Sequence, residues 1–205
     1  MRLAFHGAAG SVTGSNHLLQ TTGGTIMIDC GLFQGPKEIR TRNQMAFAYE
    51  TDTIDAVIIT HAHIDHSGRL PKLVKQGYRG PIYTTPATAE LLKILLMDSA
   101  HIQQSDNNWE NKKRKRKGQE PLSPLYDEHD VEETLKLVRP VDYHQELRIL
   151  DNVVVTFHDA GHIMGSSFLE IKITEGGFKR TLIASGDLGR SHQAIIGDPE
   201  VSEYA

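Results

Sequence analysis

The stretch Ile58-Ile59-Thr60-His61-Ala62-His63-Ile64-Asp65-His66-Ser67-Gly68 places four metal-competent side chains, His61, His63, Asp65 and His66, within six residues. His61 and His63 are two apart, so in an extended segment both imidazoles point to one side and share a target. Asp65 and His66 fall where a helical pattern begins, and the free amides of a helix start favour a carboxylate there. Imidazole and carboxylate are ligands that zinc accepts, and a metal pair about 3.5–4 Å apart clamps a nucleophile and a phosphoryl oxygen together. Such a pair needs more than four donors. His162, in Asp159-Ala160-Gly161-His162, and Asp187, in Ser185-Gly186-Asp187-Leu188-Gly189, each follow an apolar run and sit among glycines, where the backbone can turn and let a metal approach. Alone, His162 reads as a hydrogen-bonded structural histidine and Asp187 as an Asx-turn residue. Their company with the clustered histidines is what makes them candidate ligands.

Elements must hold these side chains in place. Apolar runs with strand character occur at Leu3–Phe5, His17–Gln20, Thr25–Asp29, Ile54–Thr60 and Pro81–Thr84, bounded mostly by Gly, Thr or Pro. Between and after them, Asp65–Gln76 and Thr88–Gln104 read as helices, the second with Leu91, Leu92, Leu95 and Leu96 at helical spacing. Residues 107–123 are polar and include Gly118 and Pro121, which predicts an exposed connection. A helix over Asp127–Val138 is expected to stop before Pro140, and strands return at Leu147–Leu150, Val153–Phe157, Phe168–Thr174 and Arg180–Ala184. Sheet, then helices, then sheet predicts a layered α/β (α+β) domain rather than a doubly wound parallel one.

Composition narrows the chemistry. Among 205 residues, 39% are hydrophobic and 23% charged, as in an ordinary globular domain. Cys30 is the sole cysteine, which excludes an internal disulfide and a cysteine-rich zinc finger, so any metal is held by histidine and carboxylate. No apolar run approaches the roughly 20 residues of a membrane span, and no signal-type segment opens the chain, so no membrane role and a cytoplasmic location are expected. The formal net charge of −4 gives no global field for nucleic acid. Locally, Lys112, Lys113, Arg114, Lys115, Arg116 and Lys117 form an unbroken cationic run, which by itself reads as a solvated loop.

These motifs resemble those of the metallo-β-lactamase superfamily. His61-Ala62-His63-Ile64-Asp65-His66 is similar to its signature, Asp29 in Ile28-Asp29-Cys30-Gly31 to its first motif, His162 to its third and Asp187 to its fourth. The stretches Gly7 to Ser15, Asp29 to Gly35, Ser67 to Pro71, Ala160 to Ser166 and Ser185 to Arg190 resemble the β-CASP branch of RNA-processing nucleases more than lactamases. The resemblance implies an αββα sandwich and two Zn2+. In it His61, His63 and His162 hold one ion, Asp65 and His66 the other, Asp187 bridges, and Asp29 orients the motif loop. It also implies a metal-dependent hydrolase of RNA phosphodiester bonds, in which Asp65 and Asp29 serve the catalytic step and Lys112 to Lys117 contact RNA phosphates.

The family pattern includes a seventh ligand, a histidine beyond an inserted β-CASP domain. Only 18 residues follow Asp187, and His192 among them is a poor substitute. The chain is therefore expected to be an N-terminal portion of residues 1–205 with an incomplete sandwich. Apolar surface left in this way would suit a homo-oligomer or a missing carboxy-terminal partner segment. Two other readings stay open: another hydrolase on the same scaffold, of the thioesterase or lactonase type, and a non-catalytic zinc- or RNA-binding fragment.

Overall fold

The computed structural model of the chain describes residues 1–203. Among the described residues ten strands form two sheets. The first is six-stranded, in the order β1 (Arg2–Phe5), β2 (His17–Thr21), β3 (Gly24–Ile28), β4 (Ala56–Ile58), β5 (Ile82–Thr84), β6 (Val138–Pro140). Its β1–β2 and β2–β3 pairings are antiparallel, and those of β3 through β6 are parallel. The second sheet is antiparallel throughout, in the order β10 (Phe178–Ala184), β9 (Ser167–Glu175), β8 (Val153–Asp159), β7 (Leu147–Leu150). Helices α1 (Lys37–Arg40), α2 (Ile64–Ser67), α3 (Leu70–Lys75), α4 (Pro86–Arg116) and α5 (Glu128–Leu135) lie in the connections of the first sheet.

The two-residue period of a strand sorts the core into two layers. Leu18, Met27, Val57 and Ile82 face the helices and pack with Leu73 of α3, Leu92 and Leu96 of α4 and Val131 of α5. Their neighbours Leu19, Ile26, Ile28 and Ile58 face the other way and meet Val153, Val155, Phe157, Leu169, Ile171 and Ile173 of the second sheet. The layers thus run helix, sheet, sheet, a mixed and layered α/β architecture. Among the described residues the helix layer of an αββα sandwich is present on the first sheet only. No helix of the described residues is long and apolar enough to cross a membrane.

Three elements differ from the expectations. The helix foreseen over Asp65–Gln76 is two, broken at Gly68 and Arg69 before Pro71 enters the first turn of α3. Helix α4 does not stop at Gln104. It runs 31 residues to Arg116, so the first part of the connection expected over 107–123 is helical, though exposed. Its buried positions end at Ala100, but Gln, Glu, Lys and Arg are strong helix formers and neither glycine nor proline intervenes before Gly118. Strand β6 was not foreseen, because Pro140 forbids a ladder donor; as the edge of the sheet, β6 tolerates it.

Candidate metal centre

Four connections meet at one end of the sandwich. Past β4 the chain bends at Thr60 and runs without regular structure through His61 to His63, and His61 Nε2 lies 3.1 Å from His63 Nδ1. His162, in the loop after β8, brings its Nε2 within 3.2 Å of the same His63 nitrogen. Asp187, after β10, presents Oδ2 at 3.9 Å from His61 Nε2 and 3.6 Å from His162 Nε2. One donor atom from each of these four residues lies within 4.8 Å of all the others. A tetrahedral zinc with bonds of about 2.0–2.1 Å has donor–donor edges of about 3.3 Å, so the spacing of the three imidazoles fits such an ion.

The other carboxylate oxygen points elsewhere. Asp187 Oδ1 is 3.3 Å from His66 Nε2, and Asp65 Oδ2 stands 4.0 Å from that same nitrogen on the rim of α2. Asp187 therefore faces two histidine groups with two different oxygens. His192, by contrast, is almost fully exposed and pairs with Asp198, outside this cluster.

Backbone shape makes the convergence possible. Gly186 has φ +52, and a Cβ there would lie 2.9 Å from Thr60 Cβ, so the turn that presents Asp187 seats directly on the histidine loop. Gly31 is tighter still: a Cβ would fall 1.5 Å from the Asp65 carbonyl oxygen. The loop after β3 thus lies against α2, tied by hydrogen bonds from Cys30 N to His66 O and from Leu32 N to Ile64 O.

Beneath the cluster sits Asp29, almost completely buried and itself at φ +59. Its Oδ1 accepts from Thr60 N–H at 2.9 Å and the Thr60 hydroxyl at 3.0 Å; its Oδ2 accepts from Ser15 at 3.1 Å and from His66 Nδ1–H at 2.7 Å. A carboxylate only accepts, so His66 Nδ1 carries a proton, and Nε2 is the nitrogen that faces Asp187 and is left for a cation. The Thr60 hydroxyl, spent on Asp29, can only accept from His61 Nδ1, 3.1 Å away, which leaves the His61 Nε2 lone pair facing the cluster as well. One buried carboxylate fixes two tautomers. Thr60 and Ser15 had no role in the sequence reading, although Thr60 lies directly before the first histidine of the motif.

Charge follows the same pattern. Burial alone would raise Asp29, but the charge and hydrogen bond of His66, together with Thr60 N–H, hold its carboxyl below the usual range. Burial likewise opposes protonation of His66, yet Asp29 overrides it and raises the imidazole to about 9. His61 is pushed down to about 3 by burial and then by the charge of His66, and His63 is lowered by burial and His162. His61 and His63 are thus neutral, as a cation requires, whereas His66 of the metal-free chain keeps a proton on Nε2 at neutral pH that a cation must displace.

A cleft of 350 Å³ opens beside the centre between the edges β1 and β10. Apolar Leu3, Phe5 and Leu182 line its walls, and Asp29, His66 and Asp187 line its end.

A family model described as a metallo-beta-lactamase superfamily domain matches residues 18–183. The chain belongs to the metallo-beta-lactamase superfamily. Over its whole length it is 40% identical to "Ribonuclease TTHA0252" of Thermus thermophilus and 34% identical to "Transcription termination factor FttA" of Methanosarcina mazei. It spans 42% of the first relative's length and 30% of the second's. A subclass B3 metallo-beta-lactamase of Bradyrhizobium japonicum, BJP-1, aligns with a TM-score of 0.51 at 16% identity, covering 92% of this chain and 62% of that one, which speaks for the fold alone. The superfamily fold together with the His/Asp cluster makes this a divalent-metal site.

Proposed function

We propose that the chain carries the metal-holding part of a β-CASP-type ribonuclease, with His61, His63 and His162 holding one zinc, Asp65 and His66 a second, and Asp187 between them. The observation that carries this reading is the divided attention of Asp187, whose Oδ2 faces His61 and His162 while Oδ1 faces His66. Zinc held there supplies a nucleophile at neutral pH and a positive clamp on phosphoryl oxygens. Asp65, at the rim and partly exposed, accepts a hydrogen bond from the attacking group and orients it. Asp29 acts through others, keeping protons on Nδ1 of His61 and His66 so that Nε2 of each is the nitrogen left for a metal.

RNA as the substrate is supported by the similarity to a ribonuclease and by the far end of α4. Lys112 to Lys117 ring that end, since consecutive helical residues turn about 100° each. Trp109 is exposed among them, with Lys113 Nζ 2.9 Å from the ring centroid, which offers a stacking face next to phosphate-binding cations. The cations also suit a helix C-terminus, so part of their role is local.

Metal content of the purified chain, paired with cleavage of labelled RNA by it and by His63→Ala, tests the proposal. About two zinc ions per chain and cleavage lost in the variant are expected. Equal cleavage by both chains overturns it, and turnover of a thioester or lactone with no action on RNA assigns the centre to the other hydrolase class.

A further inference from the structure

A second convergence of donors lies on the outer face of the second sheet. His158, on β8, alternates with the inward Val155 and Phe157 and so points outward; His144 is in the turn before β7; Glu200 follows in the segment beyond Asp187. One donor atom from each lies within 4.8 Å of the other two. Glu200 Oε1 is 3.2 Å from His144 Nε2 and its Oε2 is 3.3 Å from His158 Nδ1.

We propose that His144, His158 and Glu200 form an accessory site for a divalent transition metal such as zinc, which pins the segment 192–203 against the loop that carries His162. Two imidazoles and one carboxylate are a donor set zinc accepts, with a remaining position open to solvent. The ring of His158 is held in place: it stacks on Phe168 at 4.8 Å and 11°. Its other nitrogen, Nε2, is buried, has no hydrogen-bond partner and faces Glu170 Oε2 at 3.9 Å. A cation on Nδ1 fixes the proton on Nε2, and a small shift then gives the carboxylate–histidine–metal relay that orients metal-bound imidazoles.

The neighbourhood explains what the ion would hold. Glu200 N donates to Asp159 O at 3.0 Å, and Gln193 Nε2 donates to Gly161 O at 3.0 Å. Gly161 packs so closely on Pro199 and Gly197 that a Cβ would lie 2.6–2.8 Å from their atoms. Gly161 immediately precedes His162, so an ion at the accessory site stiffens a loop of the main centre from behind.

The test uses the whole chain with 15N-labelled histidine, titrated with zinc, beside His144→Ala and Glu200→Gln. Wild type is expected to bind one equivalent more than either variant, with the ring nitrogens of His144 and His158 shifting as that equivalent enters. Proteolysis within 190–203 should slow by up to about a hundredfold at free zinc of about 100 Kd in wild type only. Equal stoichiometry in all three chains, unmoved signals from the two rings, or protection that does not depend on zinc would each overturn the proposal. His144 is largely exposed and Gln can replace the hydrogen bonds of Glu200, so neither variant is expected to unfold the chain.

Discussion

Replacing Asp29 with asparagine turns one of its two carboxylate oxygens into an NH2, where four donors face the pair. Thr60 N–H and the Thr60 hydroxyl point at Oδ1; Ser15 and His66 Nδ1–H point at Oδ2. An asparagine amide offers one acceptor and one donor, so in either orientation its NH2 opposes a pair that needs an acceptor. With the carbonyl kept on Thr60 N–H, whose position the backbone fixes, the NH2 can donate to the rotatable Ser15 hydroxyl but meets His66 Nδ1–H donor against donor, a clash relieved when Nδ1 gives up its proton. His66 then carries its hydrogen on Nε2 and has no lone pair for a cation. Loss of such an outer partner costs about 10- to 100-fold in metal affinity. Stability falls too: a buried pair that loses one charge costs about 3–5 kcal/mol, or roughly 6–20 °C for a chain of this size. Both are measured on one preparation, by urea unfolding of the metal-free chain and by zinc competition with a chromogenic chelator. Asp29→Asn that binds zinc as tightly as wild type would refute the tautomer argument, whatever its stability.

Gly31→Ala should abolish metal binding or folding, because the added carbon overlaps the Asp65 carbonyl oxygen; circular dichroism and metal content separate the two outcomes. The metal-free chain should lose stability as pH rises. The folded pKa of His66, about 9, exceeds its unfolded value near 6.5, so its contribution is complete below about 6.5 and gone above about 9. Denaturant midpoints across that window should fall in wild type and stay flatter in Asp29→Asn. Exchanging the six residues Lys112 to Lys117 for glutamine should weaken binding of long RNA and reduce the salt slope by up to about 0.7 per lost contact. It should leave cleavage of short oligonucleotides intact, since α4 is about 46 Å long and its other end packs on the His162 loop through Thr85 and Thr88 to Gly165 O. Phe157→Ala should cost about 3–5 kcal/mol in thermal or urea unfolding and lower zinc affinity, whereas Leu96→Ala, at 2–5 kcal/mol, should spare affinity in the folded fraction.

The sequence shows most strongly where local rules and tertiary structure agree. Strands β2, β3, β8 and β9 were visible because each alternates between two buried faces or ends at glycine. Helix α4 was visible only as far as its apolar stripe; beyond Ala100 it buries no residue and meets the returning chain through polar contacts such as Asn107 and Asn111 to Leu122 O, so periodicity falls silent while propensity carries the helix on to Arg116. The six candidate ligands could be named from the sequence because four share one short segment and two stand among glycines. Where the structure brings them is a tertiary fact: no local signal says that Asp187, 126 positions from His61, turns one oxygen to each histidine group. The accessory trio was invisible for the same reason. His144, His158 and Glu200 are separated by 14 and 42 positions and carry no motif, and only the stacking of sheet and tail makes them neighbours.

The arrangement of the centre explains why site and fold are hard to separate here. His61, His63, Asp65 and His66 hang from the first sheet, His162 and Asp187 from the second. Among the described residues these two sets are joined by the apolar layer between the sheets and by polar bolts, among them Ser167 N and Oγ, each donating to Thr60 O at 2.9 Å. A shift of one sheet by an ångström would exceed the tolerance of a tetrahedral site, since acceptable metal–ligand distances vary by only about 0.2 Å. The inter-sheet core therefore sets metal geometry as directly as the ligands do, while the helix-side core bears mainly on stability. That division is why substitutions in the two layers, similar in thermodynamic cost, are expected to part company when metal affinity is the readout.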